Sequence, residues 1–395
     1  MHLVDITMFY AAEGGGVSTY LNAKAHWLAR RSHVSSTILR HTIMSPNVET
    51  CDDAVPALVR IPAAGLPGFH GYRMPLSVSG PARLLEAAGP DLVEAGDAGH
   101  CAWAALRMRK RYDIPAVAFY HSDLPSLVQP RLGRWIARGT CRYLANLYRQ
   151  FDLVLAPSRV MVEQLEEMGV RGAVHQPLGI DAGVFRPQRQ DEQLSEQPSE
   201  TLRERLGLDP DSRLLIYAGR FTPEKKLHLL IEAVRKLGDP YHLILVGGGA
   251  PGYELPRAPN LTVIPFKRDQ RQLARLLASC DVLVHPGDCE TFGLIVLEAM
   301  ACGLPVVGTN GGGVAELVDR ETGILAEPNK VDSLAGAIEA IYLRDMARMG
   351  QAARRKAAGR YDWNEILPQV LGRYDLLLGG YKPIQRVPER ICVTD

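Results

Sequence analysis

Nowhere in this chain of 395 residues does an apolar run approach the roughly 20 residues that a helix needs to cross a bilayer. Charge of one sign is scarce too. Lys and Arg number 45 against 44 Asp and Glu, a formal net charge of +1, which gives no electrostatic case for nucleic acid as a partner. No basic segment interleaved with aromatics would read bases either. The seven cysteines, Cys51, Cys101, Cys141, Cys280, Cys289, Cys302 and Cys392, are odd in number and include no C-x-x-C. Reduced thiols in a cytoplasmic setting account for them most simply. Met1 to Tyr10 lacks the basic region and apolar core of an export signal, so the expected location is the cytoplasm.

What is present is an apolar fraction of 46% and 37 glycines, natural for many strand-to-helix turns, in a chain too long for one typical core. Strand-like and helical runs alternate twice over, the mark of parallel α/β sheets. The first block spans residues 1–185 and ends in a strand at Leu153–Ala156 and a helix through Met168. Residues 186–201 are polar, poor in large apolar side chains, and read as an exposed linker. The second block, 202–365, carries expected strands at Leu214–Ala218, Leu243–Val246, Leu261–Pro265, Val282–His285 and Pro305–Gly308, with helices at Leu227–Leu237 and Leu273–Cys280. Residues 366–395 close the chain with a helical stretch.

Four constellations stand at expected strand or helix ends. In Cys289–Gly303, Glu290 and Glu298 lie eight positions apart around a Phe-Gly step. The run from Phe292 to Met300 favours a helix with Glu290 at its mouth and Glu298 on its second turn. The backbone N–H groups of Phe292, Gly293 and Leu294 would then face a phosphate at a helix N-terminus. Two carboxylates beside an anion cradle outline a nucleotide-diphosphate-sugar. The apolar run Leu214–Gly219 delivers Arg220 and Lys225, a fork and a point charge suited to a diphosphate at a strand's carboxyl end. Gly14-Gly15-Gly16, after the first strand and before a helix over Val17–Arg30, lets backbone approach a phosphate closely; Gly15 and Gly16 are assigned to it. Val117–Pro125 presents His121 and Asp123 from a strand, and Asp91–His100 presents Asp97 and His100, the latter pair more weakly placed.

These motifs together resemble the retaining glycosyltransferases of family 4. The resemblance implies the GT-B fold, two doubly wound Rossmann-like domains facing across a cleft, with the final helical stretch returning to the first domain. It implies that Glu290 binds donor-sugar hydroxyls, Glu298 the ribose, Arg220 and Lys225 the diphosphate, and the glycine loop the same diphosphate from the opposite domain. His121, in a setting similar to Y-H-x-x-x-P, would lie beside the donor sugar, making His121, Glu290, Arg220 and Lys225 the catalytic set. Asp97, His100 and Asp123 fall on the acceptor side. The family's diphosphate motif usually has glycine where this chain has Lys226. Transfer of a hexose from GDP-mannose or a UDP-hexose to a lipid or saccharide hydroxyl, in cell-envelope or polysaccharide biosynthesis, is the implied reaction, with a lean to mannose. A sugar-nucleotide epimerase of the same fold and a non-catalytic nucleotide-sugar-binding protein are the alternatives.

Two motifs are decoys. Gly247–Gly252 satisfies G-x-G-x-x-G, but Pro251 and Pro256 interrupt the helix a dinucleotide site needs, and no acidic residue closes a strand about 20 residues on. Asp209-Pro210-Asp211 has a metal-binding D-x-D form but reads as a turn. No cofactor or metal is required, and Mg2+ accompanying a diphosphate stays open. Finally Arg131, Arg134, Arg138, Arg142 and Arg149 form a stripe at helical spacing in a segment without acids. It reads first as a solvated face whose stems cover the core, and second as a patch for anionic lipid at the inner face of a membrane.

Overall fold

The computed structural model describes residues 1–11, 15–32, 40–51, 56–65, 73–187, 201–249 and 253–380. Most of the expected linker, 188–200, and the last residues, 381–395, therefore lie outside the described part.

Two parallel sheets organise the chain. The first has seven strands: β1 His2–Ile6, β2 Arg40–Ser45, β3 Ala57–Arg60, β6 Leu92–Ala95, β7 Ala116–Phe119, β8 Leu153–Ala156 and β9 Val174–His175, in the order β3-β2-β1-β6-β7-β8-β9. The second has six: β10 Arg213–Phe221, β11 Tyr241–Gly249, β12 Leu261–Pro265, β13 Val282–His285, β14 Val306–Thr309 and β15 Gly323–Ala326, in the order β12-β11-β10-β13-β14-β15. Two short antiparallel strands, β4 Ala64–Gly65 and β5 Arg73–Met74, form a separate ribbon. The central strands are buried on both faces, which is why they read as continuous apolar runs rather than as alternating ones.

Strand order reverses between β1 and β6 in one sheet and between β10 and β13 in the other. At such switch points the loops leaving neighbouring strands splay apart and open a crevice at the carboxyl ends. The glycine loop follows β1 and Asp97 follows β6; Arg220 and Lys225 lie at and after the end of β10, and Glu290 follows β13. One apolar cluster runs through both halves. It includes Tyr20 and Phe119 of the first, Phe292 and Val296 of the second, and Trp363 and Tyr374 of the last helix, Trp363–Gly380. That helix packs against Gly16–Ser32 of the first half.

Both decoys resolve as backbone. Gly247–Gly249 continue β11 beside Gly219–Phe221 of β10, and the rest of the motif, 250–252, lies outside the described residues. In the Asp209 turn, the side chain accepts from Asp211 N at 2.8 Å. Four of the five arginines of the stripe lie on the helix Leu124–Tyr148, which kinks at Gly133 (φ 82°), and Arg149 is its C-cap.

Candidate active site

The loop between β13 and the helix Leu294–Ala301 carries the densest polar contacts of the crevice. Glu290 Oε1 accepts a bond from Lys225 Nζ and one from His285 Nε2 at 3.0 Å. Burial acts to raise the Glu290 carboxyl pKa, but the Lys225 cation and the His285 bond prevail and hold it well below the usual range. A carboxylate kept ionised can accept sugar hydroxyls without first losing a proton. His285, at the end of β13, escaped the sequence reading; the signal was its place in the strand Val282–His285, five residues before Glu290.

The helix begins at Leu294 rather than Phe292. Gly293 adopts the left-handed conformation (φ 99°) and caps it, while the Phe292 side chain is buried in the core. Gly293 and Leu294 thus form the helix mouth, and Glu290 lies in the preceding loop. Glu298 does fall on the second turn. Its carboxyl is buried, which pushes its pKa up to about 7.

Gly311-Gly312-Gly313, a second element missed from sequence, backs the Glu290 loop. Gly313 N donates to Glu290 O at 2.7 Å, and a Cβ on Gly312 (φ 55°) would stand 2.5 Å from the same carbonyl. A third glycine triplet after a strand carried the same signal as Gly14–Gly16 and was open to the same argument.

Lys226 sits at φ 51°, ψ 37°, the region glycine occupies without cost, which explains the glycine usual at this position. Its ammonium is held by Asp288 and by Asn329 Oδ1, the latter at 2.6 Å. Arg220 is the penultimate residue of β10, with its side chain exposed.

The first half contributes across the crevice. Gly16 abuts Leu294, whose Cδ1 would lie 3.2 Å from a Cβ at that glycine. Gly15 is exposed, and Gly14 lies outside the described residues. Thr291 Oγ1 donates to His121 O at 3.2 Å, joining the two switch points directly. The His121 ring stacks on Phe119 at 4.2 Å, and its buried Nε2 has no partner among the described residues. Burial first, and then the Lys24 charge, push its pKa down to about 3, so the imidazole is neutral at physiological pH.

The remaining candidates are engaged with backbone. Asp97 accepts from Met8 N at 2.8 Å and Gly99 N at 2.7 Å; Asp123 caps the helix Leu124–Tyr148 through Ser126 N. His100 opens the helix His100–Tyr112, and its buried Nδ1 has no partner among the described residues. No group of three His, Cys, Asp or Glu among the described residues is arranged to hold a metal.

Comparisons with known proteins bear on the family and the fold. Residues 14–183 match the family described as Glycosyltransferase Family 4, and residues 198–356 that described as Glycosyl transferases group 1. A GDP-mannose-dependent alpha-mannosyltransferase of Mycobacterium tuberculosis is 29% identical over 75% of this chain and 76% of its own. A GDP-mannose-dependent alpha-(1-6)-phosphatidylinositol dimannoside mannosyltransferase of the same species is 27% identical over 94% of this chain and 95% of its own. Among solved structures, sucrose-phosphate synthase from Thermosynechococcus elongatus superposes with a TM-score of 0.79 at 20% identity, covering 96% of this chain and all of that one. HepE of Anabaena in complex with UDP-glucose gives 0.75 at 20% identity, over 95% of this chain and 100% of its own.

Proposed function

The chain belongs to glycosyltransferase family 4, with the GT-B fold, and from that premise we propose that it transfers mannose from GDP-mannose, with retention at the anomeric carbon, to a lipid or saccharide hydroxyl. The observation that carries the reading is the convergence of Lys225 and His285 on Glu290 at the second switch point, bonded through Thr291 to the backbone of His121 at the first.

The donor lies in the crevice with its ribose on Glu298 and its diphosphate on Arg220, Lys225 and the N–H groups of Gly15, Gly16, Gly293 and Leu294. Lys225, paired with Glu290 in the free protein, turns its charge to the diphosphate, and His285 keeps Glu290 oriented toward the sugar. As the bond from the anomeric carbon to the leaving oxygen stretches, the cations and backbone dipoles meet the growing negative charge with no reorganisation. The acceptor oxygen attacks from the face the diphosphate leaves, and the leaving phosphate takes its proton. His121, neutral, contributes a hydrogen bond to the sugar rather than a proton. Asp97 and Asp123 support the acceptor side by fixing the loops on which it rests.

The test is acceptor-dependent release of nucleoside diphosphate from GDP-mannose, UDP-glucose and ADP-glucose by wild type, Lys225→Ala and Glu290→Ala, with binding of each donor measured calorimetrically. The expected result is selective binding and turnover of GDP-mannose, with each variant folded and its turnover lower by about a hundred- to a thousandfold. Wild-type turnover in either folded variant would sink the assignment of roles. Selective use of a UDP-sugar would overturn the choice of donor.

A further inference from the structure

The arginine stripe differs from its first reading. Arginine stems do not simply cover a core, because the large apolar residues among them are themselves in solvent: Trp135 is 84% exposed, Leu132 59% and Ile136 50%. Arg134, Arg138 and Arg142 are exposed on the helical segment that follows the break at Gly133, whose buried side is formed by Ala137, Leu144, Ala145, Leu147 and Tyr148, and the exposed Arg131 lies just before that break. Trp135, Arg138 and Arg142, at spacings of three and four, share one face. Arg138 lies over the Trp135 ring at 5.6 Å.

No carboxylate occurs in the sequence from Leu124 to Phe151. Among the described residues, Arg131 alone of the four arginines has an acidic neighbour, Glu224 at 3.7 Å. Glu224 adjoins Lys225, so the stripe begins at the rim of the crevice. A merely solvated face does not expose a tryptophan, a leucine and an isoleucine together, and a site for a soluble anion has no use for them. Guanidinium groups beside an indole and aliphatic side chains match a surface that is anionic at its top and apolar just beneath.

We propose that the exposed face from Arg131 to Tyr143 docks on an anionic phospholipid bilayer. Trp135, Leu132 and Ile136 enter the boundary between headgroups and acyl chains, and the four arginines pair with lipid phosphates. Docking there would bring the crevice rim at Glu224 to the bilayer surface, where a lipid-borne hydroxyl could reach the donor. This deepens the acceptor side of the function proposed above and rests on that reading only for the identity of the crevice. Vesicle binding itself needs no transfer, so failure of the two ideas can be told apart.

The experiment is co-sedimentation of the full chain with vesicles of phosphatidylcholine alone and of phosphatidylcholine mixed with phosphatidylglycerol, at low and high salt. Wild type is expected to bind the anionic vesicles selectively and to be released by salt. Arg134→Glu/Arg138→Glu/Arg142→Glu should lose at least about a hundredfold in partition, since each cation near an anionic surface contributes about fivefold and the introduced carboxylates add repulsion. Trp135→Ser should bind several-fold more weakly at every salt concentration. Both variants should keep the wild-type melting temperature and donor affinity, which separates lost docking from lost folding. Equal binding to both vesicle types, wild-type partition in the triple variant, or retention on heparin without binding to vesicles would each overturn the proposal.

Discussion

At the residue scale, Glu298 is the group whose environment makes the sharpest demand. Its carboxyl pKa, pushed up to about 7 by burial, leaves it partly protonated in the free protein at neutral pH. Ribose hydroxyls donating to it would favour the carboxylate and lower that pKa, so donor binding releases a proton. Affinity for the nucleotide sugar, whose diesterified diphosphate does not titrate here, should therefore rise with pH, by up to about tenfold per unit below pH 7, and level off above it. Glu298→Gln should flatten the profile in calorimetric titrations at several pH values; an unchanged slope would remove the ribose from Glu298. In the free protein the sign reverses. Between its ordinary value of 4.5 and about 7 the folded state holds a proton the unfolded state lacks, so stability from this group falls as pH rises. Residue types were the most legible feature in sequence, because Glu290, Lys225 and Arg220 each follow an apolar run that can only be a strand. The reason Lys226 replaces glycine was not. The left-handed φ is a property of the turn, and Asp288 and Asn329, which hold its ammonium, are distant in sequence.

At the scale of elements, the two halves meet through helix ends. The Glu316 carboxylate, on the short helix Val314–Leu317 just after the glycine triplet behind Glu290, accepts from Arg159 N at 3.0 Å and Val160 N at 2.8 Å. It thus caps the helix Arg159–Glu167 from the opposite half, where a negative charge also meets the favourable end of the helix dipole. Because Gly313 of the neighbouring glycine triplet grips the Glu290 backbone, the contact between the halves and the placement of Glu290 run through one stretch of chain. Glu316→Ala should cost about 1 kcal/mol of stability, and donor affinity should fall about fivefold while turnover at saturating donor is retained. A donor titration beside a denaturation curve checks this, and a loss confined to turnover would contradict it. Sequence showed the elements but misplaced their ends: the helix after Glu290 starts two residues later than its propensity suggests, because Gly293 turns left-handed to seat Phe292 in the core. Local propensity carries no information about that tertiary demand.

For the whole molecule, the chain's two crossings between halves run side by side: Ile180 N donates to Tyr361 O at 2.7 Å and Trp363 N to Ile180 O at 3.0 Å. From there the last helix returns over the first sheet, and Tyr374 reaches a cluster of charges with no exposed member. In it Lys24 Nζ bonds Asp5 at 2.6 Å and Glu94 at 3.0 Å, His41 bonds Asp5 at 2.6 Å, and Tyr374 and Tyr20 donate to Glu94. The alternating pattern of strands and helices made two parallel sheets legible, but a cluster assembled from positions 5, 20, 24, 41, 94 and 374 has no local signature. Its physical consequence is that the helix bearing Tyr374 cannot leave the first half without stranding a buried carboxylate. Tyr374→Phe keeps the ring and removes one bond to a charged acceptor, at a cost of about 1.5–3 kcal/mol. Tyr374→Ala also opens a cavity in the core, at a cost of about 3–5 kcal/mol by analogy with other aromatic truncations. Both should appear as a lower denaturation midpoint. If the returning helix couples the halves, Tyr374→Ala should also separate the transition into two, monitored by tryptophan emission and by far-ultraviolet dichroism. A midpoint shift in Tyr374→Phe below about 0.5 kcal/mol, the size of an ordinary surface change, would mean that Lys24 and Tyr20 satisfy Glu94 unaided and that the helix is held by its apolar face alone.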